Sequence, residues 1–524
     1  MISVKNLGRT TMAGALSAAM LSGPAFAEEV TWGAARDIFS MDPYSYGSSY
    51  TISFLNHVYE GLVRYNEDLE IEPALAVSWE ITSPTTWRFE LREDVTYHNG
   101  NPFTADDVIA SLERVSADSS PLKGNLPAYK SATKVDDYTL DIELTGTYPL
   151  LLNDLTNIHI FDKEWLVENN AEMPTDVAAG VEGHATFNAN GTGPFKFVSR
   201  TPDVETILEV NEGWWDDPQH NITRIEFRPI TSAATRVSAL LSGEIDFTEA
   251  VPVQDIPRIE SAPNVDVLER TDLRTVMLGM NRRPELTNGE ENPMNDLRVR
   301  QAMQMAINKD LIRDKVMRGK SRNAGTLVAP SIPGYDEALD APIETDVEKA
   351  KSLLEEAGYG DGFEFTFVCA NADYVSEEQI CQAIASMWSR IGLKPQLDIG
   401  PSAKQTPKQS NGEADVYTLG WATLPMLDTY SILAQVLHSK EGNFGVFNWG
   451  GWTNDKIDEL TKAASVEMDR EKRLAMETEA LKVAREQIIM IPLHQQPMAW
   501  AAASDFEDFP QFPDNKPRFW YVTR

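Results

Sequence analysis

Two cysteines in 524 residues, Cys369 and Cys381, are too few for a disulfide-dense scaffold or a four-cysteine zinc site. Cations are scarce too: 46 Lys and Arg stand against 80 Asp and Glu, a formal net charge of -34. So acidic a surface repels polyanions, which disfavours nucleic acid and anionic lipid as partners. No run of about eighteen apolar residues offers a membrane span. Low-complexity tracts, short tandem repeats and heptad runs are missing as well.

Recognisable catalysis is also lacking. There is no G-x-S-x-G elbow, no H-E-x-x-H and no paired Cys-His signature. Gly319-Lys320-Ser321 looks like the end of a phosphate loop, but position 314 is Asp where the loop needs Gly. The seven histidines are scattered, and His57, His438 and His494 lie too far apart in sequence to promise the clustered nitrogen donors that bare nickel needs. No catalytic residue, cofactor or metal site is therefore expected. Two carboxylates alone can hydrolyse glycosides, so an exported glycoside or peptide hydrolase stays as the rival class.

What is present begins with an export signal. Lys5 and Arg9, the apolar run Met12 to Leu21 and the small-residue motif Ala25-Phe26-Ala27 make residues 1–27 read as a cleavable signal peptide. Its apolar stretch of about ten residues is half the roughly twenty a bilayer requires. No cysteine stands at the cleavage point, so no lipid anchor is expected there. The reading is a soluble exported protein, periplasmic in a bacterium with two membranes. Loss of Lys5 and Arg9 leaves 44 basic residues against the same 80 acidic ones.

The remaining chain exceeds one ordinary core, so more than one lobe is expected. Helix-then-strand units recur: ATRVSALLSGEIDF stops at Gly243, DVEKAKSLLEEAGYGDGFEFTFVC at Gly358 and EEQICQAIASMWSRIGLKPQLDI at Gly392. Such alternation predicts an α/β architecture with mostly parallel sheets. Residues 87–144 differ. WRFELREDVTYHNGNPF and YTLDIELTG alternate with period two, Asn99-Gly100 is a hairpin signal, and Thr104 opens a helix with Asp106 and Asp107 in its first turn. This block reads as a separate α+β insert. Cys369 ends a strand and Cys381 lies one turn into the following helix, so folding one on the other can close a disulfide; the alternative is two buried thiols.

From Met41 the run MDPYSYGSSYTISFLNHVYEGLVRYN leads into EIEPALAVSWE and WRFELREDVTYHNGNPFTADDVIASLERV. GTGPFKF, LLSGEIDF, NPMNDLRVRQAMQMAINKDLI, SIPGY, KAKSLLEEAGY and MIPLHQQ follow in order. These blocks resemble the solute-binding proteins of the peptide/nickel class, extracellular family 5, that serve ABC importers. The resemblance implies a periplasmic-binding-protein type II-like fold: two α/β lobes around a cleft, plus a smaller inserted α+β domain. On that pattern lobe I takes 28–62, 188–283 and 491–524, the inserted lobe II takes 63–187, and lobe III takes 284–490. It implies a monomer that captures a small molecule or peptide by hinge closure and docks on ABC membrane permease subunits.

The resemblance also places a pocket. The loop after Asp42-Pro43, here Tyr46, Gly47, Ser48, Ser49 and Tyr50, would line one wall; Trp421 in GWATLPMLDTY would face it, with Tyr417, Phe447, Trp449 and Trp452 extending an aromatic surface. Peptide binders of the class carry an acid three residues beyond that tryptophan; here the position is Leu424, and Asp428 is the nearest substitute. Many relatives carry an arginine after the strand that holds the first cysteine; here the loop has Asp373 and no arginine. The expected ligand is accordingly a neutral or cationic peptide-like molecule held by shape and stacking, with an oligosaccharide or an amine-bearing metabolite next in line.

Overall fold

Strand β1 (Glu28–Ala34) opens the described chain, and the computed structural model covers residues 28–216, 220–371 and 373–524. Residues 1–27, expected to be a signal peptide, lie outside the described residues. A short ribbon of β2 (Val63–Tyr65) and β3 (Ile71–Pro73) leads into a four-stranded antiparallel sheet. Its strands β4 (Ala76–Ser83), β5 (Thr86–Leu91), β6 (Tyr129–Asp136) and β7 (Thr139–Leu144) lie in the order β4-β5-β7-β6. Trp87, Phe89 and Leu91 of β5 and Leu140, Ile142 and Leu144 of β7 are buried with Val108 and Leu112 of helix Ala105–Ser116. Alternate residues of a strand face one side, which is why every second one is apolar here. The helix starts at Thr104, whose main-chain N–H donates to Asp107 Oδ2 at 2.7 Å. Gly100 turns the chain at φ 93°, though only the bridge Thr96–Pro102 flanks it, so the Asn99-Gly100 signal marks a tight turn without long strands.

The remaining strands form one large sheet with β1. They are β8 (Phe195–Thr201), β9 (Glu205–Val210), β10 (Ile222–Pro229), β11 (Phe247–Thr248), β12 (Val265–Met280), β13 (Arg322–Asn323), β14 (Glu364–Ala370), β15 (Lys394–Gly400), β16 (Val416–Trp421) and β17 (Met490–Ala503). Their order is β15-β14-β16-β12-β17-β11-β1-β10-β9-β8, with β13 pairing β17 off that path. Parallel pairing is confined to β1 with β10 and β11, and to β14 with β15 and β16. The expectation of mostly parallel sheets is corrected: β12 and β17 cross the middle antiparallel, and β8, β9 and β10 form an antiparallel meander. Helix-strand spacing reveals the two parallel clusters but is blind to the long strands joining them.

The three helix-strand units form as read. Helices Ala233–Ser242, Val347–Glu356 and Glu377–Ser389 are followed by Gly243, Gly358 and Gly392, each in the left-handed region that glycine enters without a Cβ clash. In the second cluster the sheet is covered on both faces. Phe365, Phe367 and Cys369 pack with Trp388 on one side, while Val368 packs with Tyr417, Leu433 and Leu481 on the other. Cys369 and Cys381 are disulfide-bonded with Cα atoms 6.7 Å apart, tying β14 to the helix behind it. Among the described residues no helix is long and apolar enough to cross a membrane.

Candidate ligand crevice

Ligands of open α/β sheets bind beyond the carboxyl ends of the parallel strands, where side chains and loop N–H groups converge. This sheet has two such ends, and strand register shows where they meet. β16 runs against β12 until Trp421 lies opposite Thr275. β11 runs against β17 until Thr248 lies opposite Ala501, and the Val251 N–H continues the pairing to Ala499 O at 3.2 Å. Both arrive from opposite directions at an interruption in the β12–β17 ladder. There Thr271 pairs with Pro497 and Thr275 with Gln495, so Asp272, Leu273 and Arg274 lie across from Gln496 alone. Extra residues in one strand bend it and re-aim its side chains, so this break, with one parallel cluster on each side, is the candidate floor of a ligand crevice.

Gln496 spans the floor, donating to Asp272 Oδ2 at 2.8 Å and accepting from the Val375 N–H at 3.2 Å. Arg274 donates to Gly420 O at 3.1 Å, and its guanidinium carbon lies 6.0 Å from the Tyr374 ring centroid. The Gly420 N–H in turn donates to the Tyr374 hydroxyl at 2.6 Å. A Cβ on Gly420 would fall 2.4 Å from Tyr374 Cε1 and 3.1 Å from Arg274 Cδ, so only glycine lets both side chains close over this strand end. Burial raises the Tyr374 phenol to about 12 against the lowering charge of Arg274.

On the β1 side, Glu249 accepts from Trp32 Nε1 at 2.5 Å and from the Tyr50 hydroxyl at 2.9 Å. The Arg36 guanidinium lies 4.7 Å from the Tyr50 ring centroid. Burial, then the Glu249 charge, pushes the Tyr50 phenol well up. Tyr46 stacks on the exposed ring of Phe39 with centroids 3.9 Å apart. Ser48 accepts the Thr51 N–H and caps the helix Ser49–Leu55, whose first residue, Ser49, is exposed. Gly47 is exposed, with room for a Cβ at 3.8 Å from Leu122 and Pro121.

At the end of β16, Trp421 is half-buried, with Phe447 edge-on at 5.1 Å and its Nε1 donating to Ser431 Oγ at 3.1 Å. Asp373 is exposed, and its carboxylate accepts from the Ser402 hydroxyl. Glu377 behind it accepts from Thr418 Oγ1 at 2.5 Å and from the N–H groups of Asp373 and Tyr374, and burial lifts its carboxyl to about 6.

Two expected site residues are placed elsewhere. Tyr417 is buried on the sheet face away from Cys369, its ring lying over Gly279, so it is core. Asp428 is 1% exposed, and its carboxylate is held by Arg473 at 2.9 Å, so it is no free anchor for a ligand. Trp452 is also buried, beneath the guanidinium groups of Arg282 and Arg300, whereas Trp449 and Phe447 remain half-buried near Trp421. His57, His438 and His494 sit in three separate settings: among Trp32 and Phe519, against Phe444, and on β17. Sequence reasoning did not single out Arg36, Glu249, Asp272, Arg274, Tyr374 and Gln496, which the structure joins in contacts at and beside these strand ends. The one visible signal was TDLRT, where two charges interrupt a strand-like run.

A sheet of this order, with two opposed sets of strand ends meeting at a break in its central ladder, has the fold of the type II periplasmic binding proteins. Solved structures agree: HbpA2 from Haemophilus parasuis superposes with a TM-score of 0.80 at 25% identity, covering 94% of this chain and 99% of that one. DppA from Helicobacter pylori, in complex with the peptide STSA, gives 0.74 at 25% identity over 95% and 98%. The model for bacterial extracellular solute-binding proteins, family 5 Middle, matches residues 70–444, and the chain belongs to that family. Among similar curated proteins, heme-binding protein A of Haemophilus influenzae is 29% identical, covering 85% of this chain and 83% of its own. The periplasmic murein peptide-binding protein MppA of Escherichia coli is 25% identical, covering 87% and 85%.

Proposed function

We propose that this protein is the periplasmic receptor of an ABC importer, capturing a peptide or peptide-like solute in the crevice and handing it, chemically unchanged, to the membrane permease. The single observation that carries this reading is the convergence of two sets of strand ends on the break at Asp272–Arg274 opposite Gln496. In this reading residues 28–62, 188–283 and 491–524 form lobe I, 63–187 the insert, and 284–490 lobe III. β12 and β17 are the crossing strands about which lobes I and III swing. Two crossings make a hinge that can bend at its irregular stretch while the paired stretches on either side stay rigid.

A peptide suits the walls. Half-buried Trp421 with Phe447 on one side and Tyr46 with Phe39 on the other offer stacking surface, while main-chain amides of a peptide can pair with loop polar groups. Peptide ligands named for relatives, MppA and DppA, support the same class. The test is a thermal-shift screen of peptide, glycoside and amine pools on the purified chain. Hits should then be followed by scattering with and without ligand and by mass spectrometry of the ligand afterwards. Peptide hits, compaction and recovery of intact ligand at one equivalent are expected. Turnover, or hits confined to glycosides, would overturn the reading.

A further inference from the structure

We propose that Arg274 selects ligands carrying an anionic group, a carboxylate such as a peptide's C-terminus, at the floor of the crevice; this rests on the receptor reading above. The arginine absent from the loop after Cys369 is here replaced from another direction, by a residue of β12 that the ladder break turns toward the strand ends.

The crevice was expected to hold acids and no cation, and its satisfied bonds argue the reverse. Each acid there is already held by the protein. Asp272 is bonded to Gln496, Glu249 to Trp32 and Tyr50, Asp373 to Ser402, and Glu377 to Thr418 and two main-chain N–H groups. Arg274 is not balanced in that way. Of its five N–H donors one bonds a carbonyl, Gly420 O, and no carboxylate pairs with the guanidinium among the described residues. Asp272, two residues away, turns one oxygen to Gln496 and the other to the main-chain N–H of Arg274. Elsewhere Arg64, Arg88, Arg114, Arg200, Arg473 and Arg518 meet a carboxylate and the buried Arg236 and Arg300 each bond two or more main-chain carbonyls, whereas Arg274, like Arg92 and Arg282, bonds one carbonyl alone, and of these three it is the one at the ladder break.

The setting suits anion capture. A guanidinium is a planar fork that takes a carboxylate through two parallel N–H bonds. Tyr374 beneath it and Gly420 beside it hold that fork, and both are themselves joined by a hydrogen bond. Because Arg274 sits at the break, a group bonded to it lies between the two walls. Closure of either wall removes water from the pair and strengthens it.

The test is isothermal titration of the purified chain with matched pools of dipeptides and tripeptides, free-acid and C-terminally amidated. Free acids should bind the wild type about ten- to hundredfold more tightly than their amides. Arg274→Gln should bring the acids down to the affinity of the amides while leaving the amides unchanged, and Arg274→Lys should restore part of the difference. Equal affinity of acid and amide in the wild type overturns the proposal, as does Arg274→Gln weakening both alike, which marks a structural role at the break. If neither pool binds, the peptide reading falls and the role of Arg274 with it; tight binding at acid-amide parity removes only Arg274. Should Arg274→Gln fail to fold, the wild-type comparison of acid with amide decides alone.

Discussion

Arg473 grips Asp428 at 2.9 Å, with both side chains almost fully enclosed, and a second carboxylate, Glu477, stands 3.3 Å from the same guanidinium. Burial and the neighbouring Asp428 charge push the Glu477 carboxyl far up, so one cation serves two acids of which one keeps its proton. Asp428 thus belongs to the structure that carries the Trp421 loop. Asp428→Ala removes the bond to Arg473 but also the charge that keeps Glu477 protonated, so Glu477 can ionise against Arg473 in its place, and the loss of stability should be about 1 to 3 kcal/mol. Ligand affinity of the folded fraction should stay within about threefold, under 1 kcal/mol. Urea unfolding and titration calorimetry check both; weaker binding at unchanged stability would return Asp428 to the ligand.

Trp421 and Tyr417 are two aromatics on one strand with opposite expected behaviour. On the proposed reading, Trp421→Ala should weaken ligand binding by about 1 to 3 kcal/mol and barely move the melting temperature, because its ring is only half-buried. Tyr417→Ala should cost about 3 to 5 kcal/mol of stability, because it empties a core position over Gly279. Melting curves and titrations on the two variants separate the roles.

Gly420→Ala probes the junction between Tyr374 and Arg274. A methyl group 2.4 Å from Tyr374 Cε1 must push that ring away, and it breaks the arrangement on both sides of the strand end. Overpacking of this kind costs about 1 to 3 kcal/mol of stability. Ligand affinity should fall as well, and titration of the variant against the wild type reads it.

Glu60 gives a pH dependence with a defined sign. Its carboxylate accepts from Thr192 and Trp215 and borders a cavity of about 60 Å³ also lined by Lys516, Arg518 and Trp520. Burial raises it from 4.5 to about 7, with those hydrogen bonds and Arg64 pulling it back down. Because the folded form holds the proton more tightly, its stabilising effect is complete below about pH 4.5 and is lost as pH rises through about 7. The stability of wild type relative to Glu60→Gln should therefore increase from pH 8 to pH 5, by about 3 kcal/mol at most. Denaturant titrations across that range check the slope; a difference independent of pH would place the proton elsewhere.

Much of the architecture was legible in the chain. The three helix-strand units, the four-stranded antiparallel sheet and the Thr104 helix start follow from periods of 3.6 and 2 and from caps that act within a few residues. The Cys369–Cys381 bond sat at the edge of that range, since a strand and the helix after it fold back together. The direction of β12 and β17 was not legible, because each finds its partner more than 200 residues away, as Thr275 and Gln495 show, and local pattern carries no record of that.

The chemistry of the crevice divides in the same way. Order along the chain sufficed for the lack of an arginine after Cys369, since that depends only on which residue stands where. Whether Asp428 was free, whether Tyr417 faced ligand or core, and whether a cation reached the floor were decided by tertiary structure alone. A charge or ring acts through space over a few ångströms, and Arg473, Gly279 and Arg274 come within that range of Asp428, Tyr417 and Gly420 only once the sheet has assembled.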